Sequence, residues 1–101
     1  MNYKLLFLGE AKLDLIDAFI WYETQRDGLG FDFELCVEAG LNFISKSPLA
    51  VQTRYDDVRV CFIERFPYGI YYLVEDNTIK VFGVIHTGKN PENWSERLIK
   101  K

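Results

Sequence analysis

VRVCFIERFPYGIYYLVEDNTIKVFGVIH, residues 58–86, is the stretch whose reading decides the fold. Its segments are rich in β-branched and aromatic residues and are broken by turn formers. The residues from Val58 to Phe66 therefore read as one strand, Pro67-Tyr68-Gly69 as a turn, and Ile70 to Glu75 as a second strand. Asp76-Asn77-Thr78 makes a tight turn into a third strand from Ile79 to His86. Connections this short cannot carry crossovers, so the meander is antiparallel. A period of two places Arg59, Cys61, Ile63 and Arg65 on one face of the first strand, with Val58, Val60, Phe62 and Glu64 on the other. It places Lys80, Phe82, Val84 and His86 on one face of the last. Neither strand has a cleanly polar side, so both sheet faces are expected to be at least partly covered, or one to receive a partner.

Upstream the spacing changes to that of helices. From Glu10 to Arg26, Leu13, Ile16 and Ile20 form one stripe, and Leu15, Phe19 and Tyr22 its neighbour. Glu10, Asp14 and Asp17 load the front of this helix, where the macrodipole favours negative charge, and read as a solvated face. Asp27-Gly28-Leu29-Gly30 breaks it. A second helix follows from Phe31 to Lys46 with Phe33, Val37, Leu41 and Ile44 inward, and Ser47-Pro48 stops it. Tyr3 to Leu8 reads as an N-terminal strand, and residues 91–99 as a short helix opened by Pro91. The fold class is α+β: an N-terminal strand, then a helical hairpin packed on an antiparallel sheet (β-α-α-β-β-β), with a short C-terminal helix.

A chain of 101 residues suits one domain spanning residues 1–101. With 49% hydrophobic and 27% charged residues it has the composition of a packed globule, not a disordered tail. Uncharged runs of the first half such as Leu5 to Gly9 are far below the roughly 20 apolar residues of a membrane span. No export signal opens the chain, which points to the cytoplasm. Cys36 and Cys61 lack metal-type spacing and read as reduced, buried thiols. The net charge of −3 is uneven: residues 1–50 hold four Lys/Arg against eight Asp/Glu, and residues 51–101 hold eight against seven. A protein living by phosphate contacts shows a clear basic excess, and this one does not.

Standard catalytic signatures are missing. There is no P-loop, dinucleotide fingerprint, HExxH or serine elbow, and His86 is the single histidine, so no multi-histidine metal site is possible. The residues by themselves describe a small globule with basic spots on a sheet.

Three stretches, in order, resemble the RelE/ParE toxin superfamily. They are Trp21-Tyr22-Glu23-Thr24-Gln25 with Gly28-Leu29-Gly30, then Arg59 with Arg65-Phe66-Pro67-Tyr68-Gly69-Ile70-Tyr71-Tyr72, and finally Val84-Ile85-His86 with Asn90-Pro91, Trp94 and Arg97. The likeness runs from about residue 5 to residue 97. Each piece also has a scaffold reading. Trp21 and Tyr22 clamp the helices, and the glycines allow the inter-helix turn. Tyr68, Tyr71 and Tyr72 pack the hairpin, and Trp94 staples the terminal helix to the sheet.

The resemblance implies the toxin half of a type II toxin–antitoxin pair, with a cognate antitoxin as partner and no cofactor, metal or membrane. RNA-cutting members act on messenger RNA at the ribosome and carry an arginine where this chain has Gly69. Several place an aromatic where it has Thr87. The chain is more similar to the ParE-like branch, whose members bind DNA gyrase. That implies a partner surface of Arg59, Arg65, His86, Lys89, Trp94 and Arg97. The alternative, a ribosome-dependent mRNA endoribonuclease, would use Arg59 and Arg65 on phosphate and His86 for the proton, helped by Lys89. A third reading is a non-toxic module that only binds its antitoxin.

Overall fold

A computed structural model describes residues 3–88 and Arg97. The elements run β1 (Lys4–Phe7), α1 (Gly9–Gln25), α2 (Leu29–Lys46), β2 (Thr53–Tyr55), β3 (Val58–Phe62), β4 (Tyr68–Glu75) and β5 (Thr78–His86). One five-stranded sheet has the order β1-β5-β4-β3-β2. The meander β3-β4-β5 is antiparallel as its short turns require, while β1 joins it parallel to β5, Lys4 opposite Thr78 and Phe7 opposite Val81. The expected C-terminal helix lies outside the described residues except for Arg97, which is helical.

The two helices form an antiparallel hairpin whose turn is built by Gly28 and Glu23. Gly28 takes a left-handed conformation, φ 87°, which costs an L-residue with a Cβ about 1–2 kcal/mol. Glu23 reaches forward from α1, and its two carboxylate oxygens accept the Gly28 and Gly30 amides at 2.8 and 2.9 Å. Those amides are orphan donors at the start of α2, so the acid from the first helix caps the second.

The main core lies between the hairpin and one sheet face. Phe33, Val37 and Ile44 of α2 are fully buried there and Leu41 partly, with Ile70, Tyr72, Ile79, Val81 and Val84 from the sheet. The two apolar stripes of α1 fare differently, with Leu15 and Tyr22 packed against the core. Leu13, Ile16 and Ile20 are 61%, 51% and 54% exposed, while the small residues Ala11 and Ala18 are buried. Ala11 and Ala18 fill the close approach of α1 to the sheet, and the stripe of Leu13, Ile16 and Ile20 turns outward.

A second, smaller cluster of Val58, Val60, Tyr71, Phe82 and Ile85 occupies the other sheet face. Phe82 joins it because β5 carries a bulge. Tyr71 pairs with Gly83 but Tyr72 pairs with Val81, leaving Phe82 as the extra residue. Phe82 therefore does not share a face with Val84, as strict alternation would require. Three more boundaries differ from the pattern reading. The first meander strand ends at Phe62, because Arg65 is left-handed (φ 72°) and the Ile63 amide already donates to the Tyr68 carbonyl. Tyr68 and Gly69 consequently belong to β4. The polar loop before Val58 contains a short edge strand, β2. No helix among the described residues is long and apolar enough to cross a membrane.

Candidate functional site

The site residues expected from sequence fall in different places. Arg59 donates through Nη1 to the Val51 carbonyl, near the β2 edge. Arg65 stands in the loop after β3, 3.5 Å from the Asp32 carboxylate and 5.4 Å from the centre of the Phe66 ring. His86 ends β5 opposite Tyr68, whereas Arg59 is opposite Tyr72. Four residues along β4 and two strand spacings put Arg59 and His86 on the order of 16 Å apart. Lys89 and Trp94 lie outside the described residues.

His86 and Arg97 do line one cleft, of about 470 Å³, between α1 and the outer edge of β5. Asp14, Asp17 and Trp21 line it from the helix, and Tyr68 and Val84 from the sheet. His86 sets its ring edge-on to Tyr68 at 5.3 Å, and its Nδ1 accepts the Gly88 amide at 2.9 Å. Trp21 is 58% exposed and touches Tyr22 at 5.2 Å. Tyr22 is the residue that clamps, stacking among Phe33, Phe66 and Tyr68. The expected clamping role of Trp21 is not what the packing shows. Its ring is left at the mouth of the cleft.

Sequence reading missed Asp14, which is partly buried and holds the cleft's upper end. Its carboxylate takes a two-pronged bond from Arg97, Nη1 at 2.6 Å and Nη2 at 3.1 Å, and Oδ2 also accepts the Val84 amide at 3.0 Å. Arg97 Nη1 donates further to the Phe82 carbonyl at 3.0 Å. Hydrogen bonding to Asp14 pushes the guanidinium pKa up against the burial that lowers it. A signal existed: Asp14 lies on the same helical stripe as Ala11 and Ala18, which marks an inward position. The cysteines are unpaired and half-buried, and burial pushes the Cys61 thiol up, so Cys61 is not poised as a thiolate nucleophile. Gly69 is where the resemblance places the arginine of the RNA-cutting members. A Cβ there would lie 2.7 Å from Val60 Cγ1, so the position faces the second cluster and not the cleft.

Neither a family model nor a curated relative matches the chain by sequence. By shape, a chain of the chromosomal ParDE toxin–antitoxin system from P. aeruginosa superposes with a TM-score of 0.75 at 15% identity, over 84% of this chain and 96% of that one. A chain of the RelBE2 toxin–antitoxin complex from Mycobacterium tuberculosis gives 0.54 at 21% identity, over 85% and 99%. The likeness in shape is greater for the ParDE chain than for the RelBE2 chain. The chain shares its fold with these chains of the ParDE and RelBE2 toxin–antitoxin structures.

Proposed function

We propose that this chain is the toxin of a toxin–antitoxin pair, that it inhibits growth by binding DNA gyrase, and that a cognate antitoxin neutralises it. The observation that carries the choice of target is the dispersal of its cations. Cleaving a phosphodiester requires cationic groups and a proton carrier to converge on one phosphate. Here Arg59 is tied to Val51, Arg65 faces Asp32, and the cleft beside His86 holds two carboxylates, with its arginine already paired. A surface that binds another protein needs no such convergence. The greater likeness in shape to the ParDE structure supports the same reading. We assign the gyrase contact to Arg59, Arg65 and His86 with the C-terminal residues Lys89, Trp94 and Arg97.

The test is to induce the protein alone in a bacterial host and pulse-label DNA and protein synthesis over the following minutes. Early loss of DNA synthesis with a DNA-damage response is the expected result. Early loss of translation with DNA synthesis intact would instead identify a ribosome-dependent nuclease. No effect on either would leave a non-toxic antitoxin-binding module. Arg65 is exposed and its ion pair is of the weak surface kind. Arg65→Ala should therefore relieve growth inhibition without lowering stability by more than about 0.5 kcal/mol. Undiminished inhibition by that variant removes Arg65 from the contact.

A further inference from the structure

The open half of β5 forms one wall of the cleft described above, and its chemistry goes beyond the choice of cellular target. The strand β1 pairs with β5 only from Thr78 to Val81. At the next step along that edge, the Phe82 carbonyl accepts from Arg97 and the Val84 amide donates to Asp14. One donor and one acceptor offered to alternate residues is what a single residue of a parallel neighbouring strand supplies. The Asp14–Arg97 pair thus stands in for a strand, and its donor is a guanidinium.

One step further, the Val84 carbonyl and the His86 amide point to the same edge. No strand among the described residues pairs with them there. The space beside them is the cleft, whose roughly 470 Å³ is of the size that holds a ligand. Across it α1 presents Asp17, one turn beyond Asp14, and then Trp21. Asp17 has no ion-pair partner among the described residues. Tyr68 and His86 line the sheet side. A carboxylate beside aromatic faces attracts a cation, through charge-assisted hydrogen bonds and through the ring quadrupoles. The acidic N-terminal half, −4 over residues 1–50, attracts the same sign at longer range and repels phosphate.

We propose that this cleft is a docking site for an extended peptide segment that carries an arginine or lysine side chain. The segment's backbone pairs with the Val84 carbonyl and the His86 amide as one more residue of a parallel strand. Its basic side chain lies between the Asp17 carboxylate and the rings of Trp21 and Tyr68. This repeats, one step down the edge, the arrangement that Arg97 and Asp14 already make.

The experiment is calorimetry and amide-detected NMR on the whole chain, titrated with short capped peptides of alternating valine and threonine. The central residue is arginine, glutamine or glutamate. The arginine peptide is expected to bind about fivefold more tightly than the glutamine peptide and more tightly still than the glutamate one. It should shift the amides of Val84 to Gly88 and the indole of Trp21. Asp17 is exposed and unpartnered among the described residues, so Asp17→Asn should fold normally and bring the arginine and glutamine peptides to equal affinity. The proposal is overturned by equal binding of all three peptides, by discrimination that survives Asp17→Asn, by shifts elsewhere on the protein, or by no binding at about millimolar peptide. None of these outcomes bears on growth inhibition, so the two readings fail separately.

Discussion

Gly30 shows how tightly one position can be specified. An added Cβ there would lie 2.6 Å from the Phe19 carbonyl oxygen and 2.9 Å from Glu23 Oε1. Gly28 has open space around it and is constrained only by its positive φ. Gly30→Ala should therefore cost about 2–3 kcal/mol, as overpacking against backbone does, and Gly28→Ala only about 1–2. Urea unfolding of the two variants checks the order, and equal costs would refute the close approach. Tyr72 carries a second prediction at this scale. Its hydroxyl donates to the Pro48 carbonyl at 2.8 Å in the core, and burial pushes its pKa from 10.0 up to about 12. Below pH 10 the phenol is protonated in both folded and unfolded chains, and its contribution to stability is complete. Between pH 10 and about 12 the unfolded chain ionises first, so that stability is lost as pH rises. Burial raises Tyr22, Tyr68 and Tyr71 in the same direction. Tyr72→Phe should lower stability by about 1–3 kcal/mol at neutral pH, because it orphans the Pro48 carbonyl. It should also flatten the alkaline decline, as read from unfolding midpoints across that pH range.

At the scale of elements, one apolar stripe of α1, Leu13, Ile16 and Ile20, faces outward while Leu15 and Tyr22 pack against the core. Because Ala11 and Ala18 fill its contact with the sheet, Ala18→Leu should destabilise the protein by about 1–3 kcal/mol. Ile16→Gln and Ile20→Gln should change stability by no more than about 0.5 kcal/mol. A large loss from the glutamine variants would mean that the stripe is packed after all. The edge of β5 offers the complementary test. Asp14 satisfies both the Val84 amide and the Arg97 guanidinium. Asp14→Ala should cost about 2–3 kcal/mol and speed hydrogen exchange of the Val84 amide by about tenfold or more. Unchanged exchange at Val84 would show that another group caps that edge. These two features were differently legible. The meander could be read because turn formers and β-branched runs act locally. The stripe of α1 could not, because an alanine's burial depends on how near the sheet comes.

For the whole molecule, charge is the property that bears most on function. A net charge of −3, with the first half at −4, gives little attraction for a polyanion. Binding to generic DNA or RNA at about 0.15 M salt should therefore be weaker than the roughly 10⁻⁴ M that marks the low end of non-specific binders. Fluorescence anisotropy with a labelled oligonucleotide measures this directly. Micromolar binding with a steep salt dependence would favour an RNA target over gyrase. The candidate site was legible only in part. His86 and Arg97 could be named from their place in the resemblance, but the acids that meet them could not. Asp14 and Asp17 are more than 60 residues from His86 in sequence, and read as an ordinary solvated helix front.

The sequence by itself determined the α+β class, the helical hairpin and the antiparallel meander, and the inward face of α2. Periodicity, glycine breaks and turn chemistry are encoded within a few residues of where they act. Only the tertiary structure decided that β1 lies parallel to β5 and that α1 turns Leu13, Ile16 and Ile20 outward. It alone placed the bulge at Phe82, which carries that ring to the second cluster, and the Asp14–Arg97 pair on the open edge of β5. Each depends on how closely distant segments approach, and so on distances that a local pattern does not contain.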